Sequence, residues 1–140
     1  MVKTVKKTKK ANYTVAVGRR KCAIARVRLF RKKGNLVVND QPVDQYFPGA
    51  VNQVFYEQPF KLAGVLGKYS ATIKVVGGGP QSQLEAVIHG LARALNALDR
   101  DKYRPVLKKN GLLTRDPRVR ERRKAGTGGK ARRQKQSPRR

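Results

Sequence analysis

The residues with the most chemical character in this chain are cations that occur in groups. Arg19, Arg20 and Lys21 are consecutive and follow a glycine, at a position where the pattern predicts the start of a strand. Arg26 and Arg28 come next at alternate positions, which places both on the face opposite the apolar residues between them. Because the chain holds few acids that could neutralise these charges, we interpret the group as a phosphate-binding surface. The alternative is a solvated basic edge that discourages strand pairing.

A second candidate site is the glycine run Gly77, Gly78 and Gly79, which precedes a predicted helix. Backbone N–H groups of such a loop, together with the helix dipole, can hold a phosphate. No Gly-Lys-Ser/Thr follows the run and no dinucleotide-type glycine spacing is present, so a nucleotide-hydrolysing site is not expected. The alternative is a tight strand-to-helix turn that needs the backbone angles of glycine. Both interpretations are compatible with contact to an RNA backbone.

Groups that could support catalysis or bind a metal are sparse. Asp40, Asp44 and Glu57 have no histidine partner in the pattern. His89, the single histidine, falls off the apolar stripe of a predicted helix, and we expect an ordinary packed or half-exposed side chain. Cys22, the single cysteine, is expected to be a small buried strand residue, and one cysteine excludes an internal disulfide. We therefore expect no catalytic residue, no metal and no cofactor.

The net charge of +26 lies at the two ends of the chain. Residues 1–33 carry +13, residues 34–100 are neutral, and residues 101–140 carry +13 again. A neutral middle between two cationic segments suits a dense anion, and the commonest such anion is nucleic acid. The sequence has no signal-peptide pattern and no apolar run as long as a membrane span, so we expect a soluble intracellular protein without a membrane partner.

Composition divides the chain into three parts. Residues 1–11 are lysine-rich without periodicity and are predicted to be a disordered arm. Residues 12–114 hold the apolar periodicity and have the length of one domain. Residues 115–140 contain almost no apolar side chain and are predicted to be an extended basic tail, disordered when free. Because the tail has no aromatic residue, base stacking is limited to guanidinium planes, and phosphate contact is what we expect of it.

Alternating apolar residues predict four strands. The first begins at Tyr13 and is interrupted by Gly18, and the second covers residues 23–29. A turn follows the second strand and should bring residues 36–38 back as its partner. Residues 69–76 form the fourth strand, which ends at the glycine run.

The helices are predicted from prolines and from apolar spacing. Prolines divide residues 43–66, where we expect short helices packed on the sheet. The clearest helix carries an apolar stripe over residues 84–98, and Ser82 with Glu85 matches a capping box at its start. A second helix is predicted at residues 104–110, ended by a glycine.

Three segments carry motifs that belong together in order and spacing. They are the opening Gly18-Arg19-Arg20-Lys21-x-Ala23-x-Ala25-Arg26-Val27, the glycine run with Gln83, Ala86, Gly90 and Ala92-Arg93-Ala94-Leu95 after it, and the later Leu113-Thr114-Arg115-Asp116-x-Arg118, Glu121-Arg122-Arg123-Lys124 and Lys130-Ala131-Arg132-Arg133. Together these motifs resemble the family of the ninth protein of the small ribosomal subunit, in its bacterial or organellar form.

The resemblance implies an α+β fold: a mixed β-sheet with helices on one face and a left-handed βαβ crossover, like the second domain of ribosomal protein S5, followed by a long basic tail. It implies a protein of the subunit head that is not an enzyme. Its partners would be small-subunit ribosomal RNA and neighbouring head proteins, in a cytoplasmic ribosome or that of a plastid or mitochondrion. The residues expected to bind ribosomal RNA are Arg19, Arg20, Lys21, Arg26, Arg28, Gly77, Gly78, Gly79, Arg115, Arg118, Arg122, Arg123, Lys124, Lys130, Arg132 and Arg133.

The resemblance also implies a role for the end of the tail. In the family, the last basic residues contact phosphates in the anticodon stem-loop of peptidyl-site tRNA. In this chain the matching residues are Arg140 and, assisting it, Arg139. The family commonly has an aromatic residue shortly before these cations, whereas this chain has none there and carries Pro138 instead.

Three other functions fit parts of the pattern. A protein cofactor of a ribozyme, such as the ribonuclease P protein, would concentrate its arginines on a helix of the domain, whereas here they concentrate in the tail. A phosphate-transferring enzyme would need carboxylates near the glycine run, where only Glu85 is close and the capping box accounts for it. Chromatin packaging is compatible with the charge alone, and a neutral domain gives it no particular support.

Overall fold

A computed structural model describes residues 12–124 of the 140-residue chain, which form an α+β fold. The predicted arm at residues 1–11 and residues 125–140 of the predicted tail lie outside the described residues. The strands are β1 (Tyr13–Arg20), β2 (Ala23–Phe30), β3 (Leu36–Val38), β4 (Gln41–Pro42) and β5 (Ser70–Val76). The helices are α1 (Val43–Tyr46), α2 (Ala50–Leu62), α3 (Pro80–Leu98) and α4 (Arg100–Lys109).

The five strands form one mixed sheet in the order β1-β2-β5-β3-β4. Every neighbouring pair is antiparallel except β3 and β5, which run parallel. The prediction that residues 36–38 pair back onto the preceding strand is therefore wrong. Both edges of β2 are already occupied, by β1 on one side and by the seven-residue β5 on the other. The short β3 lies beyond β5, and the chain crosses from β3 to β5 through α1 and α2.

Gly18 lies inside β1 and does not interrupt it, contrary to the prediction. It pairs with Ala25 in the regular ladder. A Cβ at Gly18 would lie 1.9 Å from the carbonyl oxygen of Ala86 and 2.2 Å from the amide nitrogen of Gly90, both in α3. Gly90 is also confined, though less tightly, because its Cβ would lie 2.7 Å from a methyl carbon of Val27. These glycines mark the place where helix and strand backbones approach closely.

Because β1 continues to Arg20, the cationic motif lies at the end of a strand and not at its start. Lys21 and Cys22 form the two-residue turn between β1 and β2, and Lys21 adopts a φ of 50°. Cys22 is exposed, so the prediction of a buried strand residue is wrong. Its neighbour Ala23 begins β2 and takes the first buried position.

The core lies between one face of the sheet and the helices. The buried residues of β2 and β5 face the apolar stripe of α3, which packs directly on β1 and β2. The helices α2 and α4 pack beside α3. The fully buried large side chains of this core include Val27, Leu29, Ile73, Val87, Leu84, Leu91, Leu95 and Leu107.

The two C-terminal helices, α3 and α4, begin at other residues than the sequence predicts. Gly79 is the N-cap of α3, Pro80 occupies the first helical position, and no side chain caps the helix, so the capping box of Ser82 and Glu85 is wrong. Proline has no N–H to cap and its fixed φ suits a helix start. The helix α4 begins earlier than predicted, because Asp99 accepts a hydrogen bond from the backbone N–H of Lys102. None of the helices within residues 12–124 is long and apolar enough to cross a membrane.

Candidate nucleic-acid interface

One face of the sheet is not covered by any helix of the described chain. We call it the open face. Strand alternation and register assign to it the outward residues of β1, β2 and β5, which lie opposite the buried set. They are Tyr13, Val15, Val17, Arg19, Ile24, Arg26, Arg28, Phe30, Thr72, Lys74 and Val76.

Three exposed cations occupy the middle of the open face. Arg26 pairs directly with Lys74 across β2 and β5, and Arg28 follows two residues later on β2. Within the described residues none of the three forms a salt bridge. Like charges directly opposite each other on neighbouring strands repel. An anion placed between Arg26 and Lys74 would relieve that repulsion, so this pair is suited to a phosphate.

The same cations line a shallow depression of ≈ 540 Å³. Asn39, Asp40 and Thr72 also line it. Arg26 and Arg28 are among the site residues predicted from the sequence, whereas Lys74 is not. The sequence contains the pattern that identifies Lys74, because this lysine lies between the buried Ile73 and Val75 in the same way that Arg26 lies between two buried residues.

Arg20 does not lie on the open face, although sequence analysis grouped it with Arg19 and Lys21. Its Nε donates to the carboxylate of Glu85. Its Nη1 donates to the carbonyl oxygen of Arg118 at 2.7 Å, and its Nη2 lies 3.4 Å from Oδ2 of Asp116. The Arg20 side chain is only 11% exposed. We call Arg20, Glu85, Asp116 and Arg118 the arginine clamp, because Arg20 joins β1, α3 and the segment after α4.

One of the two acidic partners in the clamp, Asp116, is itself held by a second arginine. The guanidinium of Arg118 donates to both carboxylate oxygens of Asp116, with its Nη2 at 2.7 Å from Oδ2. These hydrogen bonds hold the pKa of Asp116 well below its usual range. The carboxylate therefore stays charged at physiological pH and available to Arg20.

His89 makes a second connection between the same three elements. Its Nδ1 accepts a hydrogen bond from the backbone N–H of Arg19 at 3.2 Å, so its Nε2 carries the proton and donates to the carbonyl of Leu113 at 3.3 Å. Burial lowers the pKa of His89, and the nearby positive charges of Arg93 and Arg115 add to the effect. The neutral form is the one that can accept from Arg19, so His89 is a structural bridge, in agreement with the expected half-exposed side chain.

Among the remaining predicted residues, one group lies at the β1–β2 turn and another in the chain that follows α4. Arg19 and Lys21 are exposed beside the turn, and Nη2 of Arg115 lies 3.5 Å from the carbonyl oxygen of Lys21. Arg122, Arg123 and Lys124 are exposed in a stretch without helix or strand. Lys130, Arg132, Arg133, Arg139 and Arg140 lie outside the described residues.

The glycine run has the geometry of a tight turn. Gly77 and Gly78 adopt φ values of +78° and +68°, which only glycine adopts readily. A Cβ at Gly77 would lie 2.5 Å from the carbonyl oxygen of Cys22, so the run packs against the β1–β2 turn. Glu85, the one carboxylate near the run in sequence, is engaged by Arg20. Within residues 12–124 no cluster of three His, Cys, Asp or Glu side chains could hold a metal ion.

Replacing Arg20 with methionine is expected to lower the free energy of unfolding by about 2 kcal/mol. The variant loses charge-assisted hydrogen bonds to partly exposed partners, and methionine keeps much of the volume. Residues 113–118 should then exchange their amide hydrogens faster, which hydrogen-exchange mass spectrometry measures directly. Arg19→Met is the matched control, because that neighbouring side chain is exposed. Equal protection of residues 113–118 in both variants would contradict the clamp.

Comparison with known proteins adds a separate line of evidence. The family model described as ribosomal protein S9/S16 matches residues 18–140. The small ribosomal subunit protein uS9 of Leifsonia xyli subsp. xyli is 50% identical over 111 residues, which are 79% of this chain and 66% of that protein. The protein of the same name from Cutibacterium acnes is 49% identical over 79% of this chain and 64% of its own length. The one from Maridesulfovibrio salexigens is 44% identical over 84% of this chain and 90% of its own length.

Proposed function

Because the chain belongs to the ribosomal protein S9/S16 family, we propose that it is a non-enzymatic structural constituent of the small ribosomal subunit that binds small-subunit ribosomal RNA. The observation that carries the proposal is the pairing of Arg26 with Lys74 across two strands, where both are exposed and neither forms a salt bridge within the described residues. A rigid strand pair fixes the spacing of these cations, so RNA phosphates meet a preformed surface.

Two parts of the chain share the RNA contact. The open face, which includes Arg19, and the exposed turn residue Lys21 fix the position of the domain on the RNA, and the exposed run Gly77–Gly79 offers backbone N–H groups. The tail supplies separate phosphate contacts, both from residues 115–118, which include part of the clamp, and from the residues after them. Its contacting residues are Arg115, Arg118, Arg122, Arg123, Lys124, Lys130, Arg132 and Arg133.

Arg20 contributes to this function indirectly. Its guanidinium is buried in the clamp, so it holds residues 113–118 on the domain and leaves phosphate contact to its neighbours.

The neutral side of the domain, around α2, is available for neighbouring proteins of the subunit head. We also infer that the crossover from β3 to β5 is left-handed, as in the second domain of ribosomal protein S5, against the usual rule for parallel strands.

Sedimentation tests the main proposal. A tagged full-length chain expressed in bacteria should travel with small ribosomal subunits in a lysate and stay with them after a wash in high salt. A chain that stays at the top of the gradient at moderate salt would contradict the proposal. One that is removed by the wash at the same salt as an unrelated basic protein would also contradict it.

We infer further that Arg139 and Arg140 contact phosphates of tRNA in the peptidyl site. Deleting these two residues should leave subunit assembly intact, because the open face and the clamp are unchanged. The loss of two phosphate contacts should weaken tRNA binding to the peptidyl site by about tenfold, as filter binding on purified mutant subunits would measure. Substituting both by lysine keeps the charge and should restore most of the affinity. Unchanged affinity after the deletion would count against the inference.

A further inference from the structure

The outer end of the open face is aromatic and not only cationic. Tyr13 begins β1 and pairs with Phe30 at the end of β2, with ring centroids 5.6 Å apart and planes inclined at 54°. The guanidinium carbon of Arg28 lies 5.7 Å from the centre of the Tyr13 ring. Tyr13 is nevertheless 37% exposed. An aromatic side chain that is held in place on a strand and still exposed is available to a planar ligand.

The surroundings of Tyr13 supply the other groups that a nucleotide needs. Asn12 offers an amide, and Arg31 and Lys32 are exposed cations directly after β2. Together with Tyr13 and Phe30 they line a depression of ≈ 610 Å³, a volume in the range of small-molecule sites, and no carboxylate is among the lining residues. We call this the aromatic corner, defined by Tyr13, Phe30, Arg31 and Lys32.

We propose that the aromatic corner binds one unpaired nucleotide, with its base stacked on Tyr13 and its phosphate at Arg31 and Lys32. Bases inside an RNA helix are not accessible to a side-chain ring, whereas bases in loops and bulges stack readily on aromatic residues. The inference rests on the proposed RNA-binding function and specifies the kind of RNA segment that reaches this end of the open face.

The domain has a second exposed aromatic ring, which differs from Tyr13 in having no free cation near it on its own helix. Phe55 on α2 is 44% exposed, beside the exposed Val51 and Val54. The nearest cation on that helix is Lys61, which is already paired with Glu57. A phosphate would find no free positive charge on α2, so Phe55 lacks what Tyr13 has and serves as its control.

Stacking is tested with the full-length protein and a single-stranded oligoribonucleotide that carries one 2-aminopurine. Stacking on a ring quenches the fluorescence of this base. The wild-type protein and Tyr13→Phe should quench it equally. Tyr13→Leu should quench less and bind about tenfold more weakly, within the range measured for base–aromatic stacking. Phe55→Leu should behave as wild type, and a duplex of the same sequence should bind without any difference between the variants.

The salt dependence separates this proposal from the general one. In Tyr13→Leu the slope of log affinity against log salt should be unchanged, because no cation is lost. Salt-dependent binding with the same affinity and quenching in Tyr13→Leu and wild type would overturn the aromatic corner alone. A wild-type chain that binds neither the oligonucleotide nor ribosomal RNA would overturn both proposals. Because Tyr13 is exposed and is the first residue of β1, the melting temperatures of Tyr13→Leu and Tyr13→Phe should agree within a few degrees.

Discussion

Replacing Gly18 with alanine is expected to lower the free energy of unfolding by about 3 kcal/mol or more. The added Cβ would lie 1.9 Å from the carbonyl oxygen of Ala86 and 2.7 Å from the Cα of Gly90. Both atoms belong to the backbone of α3, so no side-chain rotation can make room. The helix must move away from β1, and contacts along the central helix–sheet interface would be lost. For a domain of about 100 residues, a change of this size lowers the melting temperature by more than about 12 °C.

Gly79→Ala is the matched control for this prediction. Gly79 has a negative φ, and a Cβ there would meet no atom within 4 Å. Its replacement should cost no more than about 1 kcal/mol, the effect of a poorer N-cap. Chemical unfolding of the two variants, followed by circular dichroism, gives both values. Equal stability of Gly18→Ala and Gly79→Ala would mean that β1 and α3 are not in such close contact.

Replacing Arg26, Arg28 and Lys74 together with glutamine is expected to weaken binding to small-subunit ribosomal RNA about 100-fold near 0.1 M salt. Each cation that neutralises one phosphate contributes about 0.7 to 0.9 to the slope of log affinity against log salt. The slope should therefore become less negative by about 2 to 3. Stability should stay the same or rise, because the variant removes the repulsion between Arg26 and Lys74.

A second triple variant, with the same change in net charge, tests whether the position of the cations matters. Arg100, Lys108 and Lys109 are exposed on α4, which packs on the helical side of the domain. Their joint replacement with glutamine removes the same number of charges. We expect a loss of affinity of less than about tenfold and a nearly unchanged slope. Similar losses from both triple variants would indicate that total charge, and not the open face, determines the affinity.

Alternation in the sequence predicted the outward residues of β2, and the same rule applied to β5 would have added Lys74. Arg26 and Arg28 point outward because each has a buried apolar residue on either side. The same rule applied to β1 would have separated Arg19 from Arg20, but only if the strand continues through Gly18. Because glycine weakens an isolated strand, the pattern indicated a break there. The reason for the glycine is the helix α3, about seventy residues later in the chain, which no local pattern contains.

The partners of Arg20 could not be predicted from the sequence for a related reason. Glu85 has a local explanation in the sequence, as the last residue of a capping box with Ser82. In the folded domain a proline at the first position of α3 starts the helix without a side-chain cap, and Glu85 is free to pair across to β1. The pairing of β3 was missed because a nearby hairpin is the simplest partner for a short strand. The parallel alignment with β5 depends on the intervening helices.

The arginine clamp also bears on the order in which the chain folds. Arg20 and the carbonyl of Arg118 are separated by 98 positions, so their contact closes nearly the whole domain into a loop. Loop closure of this length costs entropy that only an already ordered sheet and α3 can offset. We expect the β1–β2 hairpin and its packing on α3 to form first and the clamp to close last. In this order, the direction in which the basic chain leaves the domain is set only once the open face exists.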